Sequence, residues 1–125
     1  MTHQEFADFT EQVFDRVRQI AVTKGKEYAD DENNRFANFD VLAKDLEISP
    51  FKVWWCYVGK MLFAIKRWLR TGATLSESIE ERFLDVIVYT LLAWGMARRA
   101  AEAAKPVEAP MGEGVGRFIK KGIEG

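Results

Sequence analysis

The chain has 125 residues, 48% of them hydrophobic, which suits one domain with a real core. Its formal net charge is −1, so there is no global electrostatic drive toward DNA, RNA or an anionic membrane. A single cysteine, Cys56, excludes an internal disulfide framework and a cysteine-based zinc cluster, and the single histidine, His3, placed next to the terminus, argues against Ser-His-Asp or Cys-His catalysis from one chain.

The pattern along the chain predicts helices and no strands. Thr2 with Glu5 fits a capping box, and Phe6, Phe9, Val13, Val17 and Ile20 follow at helical spacing. This first helix is predicted to stop near Lys24, because Gly25 is a plausible terminator. Residues 25–35 are polar and rich in turn formers, and read as a loop. A short helix through Phe36, Phe39, Leu42, Ala43 and Leu46 comes next. Ser49-Pro50 is a strong helix start, with Ser at the N-cap and Pro at the first helical position. The third helix runs from there to about Arg70 and ends at Gly72. Thr74, Ser76 and Ser78 each offer an N-cap for a fourth helix that reaches about Ala104, with Arg98 and Arg99 suited to the negative end of its macrodipole. These elements predict an all-α, four-helix-bundle-like domain over 1–104. Residues 105–125, with two prolines and five glycines, read as a flexible tail.

The fourth helix holds the clearest functional signal. From Phe83 to Trp94 its only ionisable groups are Asp85 and the Tyr89 phenol. A carboxylate in such a run is expected to be buried, and therefore paired, protonated or metal-bound. Glu77 and Glu81 precede Asp85 by eight and four residues, and Tyr89 follows by four. A helix turns about 100° per residue, so Glu81 and Asp85 project within about 40° of each other. Glu77, Glu81 and Asp85 are thus candidate ligands for a hard cation held by oxygen, most naturally Mg²⁺ with retained waters. The alternative is that Glu77 and Glu81 are solvated and Asp85 pairs with a core-lining Lys or Arg.

Lys60 lies among apolar residues of the third helix, with Arg67 seven positions later. Lys60 is the expected counter-ion of Asp85 if the two helices are antiparallel neighbours, and Lys60 with Arg67 suits phosphate. The loop region brings Lys24, Tyr28, Asn38 and Phe39, aromatics and amides that can hold a base by stacking and edge hydrogen bonds. Trp54 and Trp55 face different directions, one toward the core and one toward an interface or pocket. Cys56 is expected to be a small core residue. The apolar fourth helix exceeds what a small bundle covers, which predicts a homo-oligomer. No signal peptide and no membrane-spanning run is visible, so the expected location is cytoplasmic.

Three segments taken together, KGKEYADDENNRFANF (24–39), KMLFAIKR (60–67) and SESIEERFLDVIVYTLL (76–92), resemble small phage-encoded helical proteins of the nucleotide-modification-associated domain type. Lys24 and Tyr28 match that family's Lys-x-x-x-Tyr stretch, and Ala37-Asn38-Phe39 its Ala-Asn-Phe. Lys60 with Arg67 match its helical Lys and later Arg. Glu77-Ser78, Asp85 and Tyr89 match its last helix, with Glu81 in place of an Asp. The resemblance implies nucleotides or modified bases as ligands, in a host cytoplasm. A looser similarity to the MazG and dimeric dUTPase kind of all-α pyrophosphatase rests on Glu77-Ser78-Ile79-Glu80. The second acidic pattern of those enzymes is absent, because Glu81 to Asp85 is one residue too long. The expected function is therefore binding of a nucleotide or nucleotide-derived molecule between the third and fourth helices, with Mg²⁺-dependent hydrolysis as its enzymatic form. In that scheme Lys60 and Arg67 contact phosphate, Glu81 and Asp85 take the metal, and Tyr28, Asn38 and Phe39 wall the base. The alternative is a non-enzymatic module that sequesters a nucleotide signal or binds a host protein.

Overall fold

The computed structural model describes residues 1–28 and 33–105. Over these the protein is four helices: α1 (His3–Tyr28), α2 (Ala37–Leu46), α3 (Pro50–Thr71) and α4 (Ile79–Ala103), with no strand among the described residues. Of the expected flexible tail, 105–125, residues 106–125 lie outside them. None of the described helices is long and apolar enough to cross a membrane.

Local chemistry sets most boundaries. At the start of α1 the Thr2 hydroxyl accepts from the Glu5 amide (3.0 Å) and the Glu5 carboxylate accepts from the Thr2 amide (2.7 Å), the reciprocal box the sequence predicts. Ser49 caps α3 by accepting from Phe51 N, with Pro50 at the first helical position. Gly72 ends α3 at φ 73°, a left-handed value that suits a residue without a Cβ. Of the three candidate caps for α4, Ser78 takes the role, its hydroxyl accepting from Glu81 N (3.2 Å).

One boundary differs. Gly25 does not stop α1, which continues through Tyr28. Its φ is not in the left-handed region, and the reason for a glycine lies elsewhere: an ideal Cβ there would sit 2.8 Å from Arg35 Nε.

The core lies between α2, α3 and α4. Phe39, Ala43, Val53 and Met96 are buried, with Phe36, Leu42, Ile48, Trp54, Tyr57, Tyr89 and Leu92 packed around them. Burial of a side chain such as Phe39 stabilises by about 1.5–3 kcal/mol. Its ring meets the rings of Tyr57 (6.0 Å) and Tyr89 (6.2 Å) edge-on, the geometry the ring quadrupole favours. Trp54 Nε1 donates to the main-chain oxygen of Tyr89 at 2.7 Å, which joins α3 to α4. α1 packs chiefly on α4. One further expectation is corrected. Cys56 is exposed rather than in the core, because the buried side of α3 is taken by Val53 and Val58. The apolar surface of α4 exceeds what the other helices cover: Phe83, Leu91 and Trp94 remain about half exposed.

A polar junction between α1 and α4

Asp85 is paired, but not by the residue expected. Lys24 Nζ donates to Asp85 Oδ1 at 3.3 Å. Lys24 follows the buried Val17 by seven residues, two helical turns, so it falls on the side of α1 that meets α4. The pair is partly buried, with the Lys24 side chain 35% and the Asp85 side chain 17% exposed. Lys60 is exposed on α3, as is Arg67, and neither forms an ion pair among the described residues. The Lys60–Asp85 pairing is therefore corrected to Lys24–Asp85. α3 does neighbour α4, but it turns Val53, Val58, Trp54 and Tyr57 inward and leaves Lys60 to solvent.

Arg35 is the second cation at this junction. The segment before α2 holds it by alternation. Asn34 Oδ1 accepts from Phe36 N (3.0 Å), and Asn34 Nδ2 donates to Asp40 Oδ2 (2.9 Å). Asp40 in turn takes a two-pronged contact from Arg99, both bonds 2.9 Å, and the Arg99 guanidinium lies 4.9 Å from the centre of the Phe36 ring. Asn34 and Phe36 are thus tied to α2 and α4, and Arg35 between them reaches to α1. Its Nη2 donates to Ala21 O (3.4 Å), and its arm lies on Gly25. Burial lowers the Arg35 pKa from its ordinary value, while the nearby Tyr89 phenol opposes that shift. Among the described residues no carboxylate comes within ion-pair distance of Arg35.

Tyr89 stands one turn beyond Asp85 on the same face and also touches Tyr57, ring centres 6.1 Å apart. Lys24, Arg35, Asp85 and Tyr89 therefore gather where the C-terminal half of α1 meets α4, with the Phe39–Tyr57 rings behind Tyr89.

The other candidates distribute as follows. Phe39 is fully buried in the core. Asn38 is partly buried, and its Oδ1 is enclosed without a hydrogen-bond partner among the described residues. Tyr28 ends α1, and its side chain lies outside the described residues. Glu81 is exposed in the first turn of α4, one turn before Asp85. Glu77 precedes the N-cap Ser78, so it leaves the helical stripe; its carboxylate faces Arg82 Nη1 at 3.5 Å. Accordingly, no group of three Asp, Glu, His or Cys side chains among the described residues is placed to hold a metal ion. No local sequence pattern marks Arg35 for a role. The available signal was Gly25, spaced one turn from Ala21 inside a segment that is helical rather than loop.

Among the described residues, two cations, Lys24 and Arg35, stand with one carboxylate, Asp85, at this junction. A guanidinium and an ammonium at one junction suit a phosphate or another oxyanion. No protein-family model, no curated protein and no solved structure matches the chain.

Proposed function

We propose that the protein binds a nucleotide or nucleotide-derived phosphorylated small molecule at the α1–α4 junction. The observation that carries this reading is Arg35, a partly buried guanidinium with no carboxylate partner among the described residues. Partial burial of a guanidinium is costly, and an oxyanion would offset that cost. Lys24 would supply the second contact, shared with Asp85. Lys60 and Arg67 would then act, if at all, on a part of the ligand that projects over α3. Mg²⁺ would enter with the phosphate, held through waters by Asp85 and Glu81.

Binding without turnover is the form the geometry supports better. Asp85 is engaged by Lys24 and Glu77 by Arg82, which leaves Glu81 as the one uncommitted carboxylate of the three. Titration calorimetry against a panel of nucleoside mono-, di- and triphosphates and cyclic nucleotides, with and without Mg²⁺, tests the reading. Arg35→Ala is expected to weaken binding about tenfold or more, as loss of a charged hydrogen-bond donor does, and Lys60→Ala to change it little. Asp85→Asn separates the two modes: it frees Lys24 and strengthens binding of a bare phosphate, but weakens binding that runs through Mg²⁺. Absence of heat with every nucleotide, or binding unchanged in Arg35→Ala, refutes the site. Product formation under the same conditions would establish hydrolysis instead of sequestration.

A further inference from the structure

The N-terminal half of α1 is held on one side only. Phe6 is 57%, Phe9 44% and Phe14 53% exposed, and Phe83 on α4 is 44% exposed. Between these helices runs an open groove of about 860 Å³ lined by Phe9, Val13, Phe14, Phe83, Leu84 and Ile87. It is lined by the N-terminal half of α1 and the N-terminal part of α4.

We infer that this groove is the contact surface for a second copy of the chain, which lays its own α1 and α4 across it to make a two-fold four-helix bundle. Three features favour a copy over an unrelated partner. First, α1 and α4 form a packed pair with an open apolar seam, which is half of such a bundle. Second, the rim carries Arg16 and Glu80, one of each sign, and neither has an ion-pair partner among the described residues. A two-fold interface is self-complementary, so Arg16 of one copy meets Glu80 of the other, twice. A partner of one charge would leave one of them opposed. Third, the area is of the right order. An aromatic side chain carries about 150–250 Å², so four rings near half exposure offer roughly 400 Å² against the ~800 Å² per partner of a standard interface. The flanking aliphatic groups and the rim extend this.

The test is sedimentation equilibrium of the full chain over a hundredfold concentration range. A monomer–dimer equilibrium is expected. Phe14→Glu should shift it to monomer with unchanged far-UV circular dichroism. Arg16→Glu and Glu80→Arg should each weaken the dimer about fivefold, the scale of an exposed pair, and the double exchange should restore it. That rescue does not depend on a core substitution being tolerated. A monomer at every concentration overturns the inference. So does a dimer indifferent to these changes but lost in Trp55→Glu or Phe63→Glu, which would put the contact on α3. A monomer that binds an added amphipathic helix in the groove assigns the surface to another occupant and equally overturns it.

Discussion

The arm of Arg35 lies on the backbone of Gly25, with Nε 2.8 Å from where a Cβ would stand. The glycine is thus the space in α1 that lets a cation from the following segment reach the helix. Gly25→Ala separates two consequences. Ala is the better helix former by about 1 kcal/mol, so α1 gains local stability. Arg35 must move, so phosphate or nucleotide binding should fall by several-fold. Calorimetry and thermal melts on the one variant check both; retained affinity would show that Arg35 does not act from this position.

Two other helical glycines give opposite signs. A Cβ at Gly95 would meet Phe36 Cζ at 2.8 Å, and that ring is backed by Arg99, so it has little room to give. Overpacking costs about 1–3 kcal/mol, and Gly95→Ala should lower the melting temperature despite its propensity gain. At Gly59 nothing lies within 4 Å of the added methyl, and Gly59→Ala should raise the melting temperature, by about 0.5–1 kcal/mol in stability. Equal shifts in the two variants would contradict the packing described around Phe36.

Acid should unpick α2 from α4. The hydrogen bonds from Arg99 hold the Asp40 carboxyl below its ordinary pKa, against desolvation, with Asn34 assisting. A depressed folded-state value contributes stability above the unfolded pKa of about 3.9, lost as pH falls through the folded value. Both partners are partly solvated, so the contribution is about 1 kcal/mol or less. Asp40→Asn should therefore melt a few degrees below the wild type at pH 7, and the difference should close in acid. A gap that persists unchanged into acid would assign the effect to packing instead of charge.

Trp54→Phe tests the tie between α3 and α4. It removes the donor to Tyr89 O, a carbonyl in the middle of α4, so one interhelical hydrogen bond is lost at a cost of about 0.5–1.5 kcal/mol. Chemical denaturation should show a lower midpoint with an unchanged slope. A change in slope would instead indicate an altered denatured or native compactness.

What the sequence made legible was local. The caps at Thr2, Ser49, Ser78 and Gly72 act within a few residues, and each lies where its chemistry predicts. The isolation of Asp85 was legible for the same reason, since the apolar run is contiguous. Its partner was not. Lys24 and Lys60 both stand on helices that pack against α4, and choosing between them requires knowing which way each helix is turned. Here Val17 turns Lys24 inward, while Val53 and Val58 turn Lys60 outward. Glu77 fell out of the acidic stripe through a choice among three caps, Thr74, Ser76 and Ser78, that spacing alone leaves open. The Asp40–Arg99 contact spans 59 residues and was invisible to any local pattern.

Lys24 and the seat of Arg35 are both carried by α1, which rests chiefly on α4. Anion binding at this junction, as proposed, and the docking of this helix would therefore be one equilibrium, since undocking scatters the two cations. A ligand bridging them would suppress that opening by the ratio of its concentration to its dissociation constant. Amide exchange around Val17 to Gly25 would then slow with occupancy while exchange in the middle of α3 stayed constant, making the least-secured helix the protein's own reporter of what it holds.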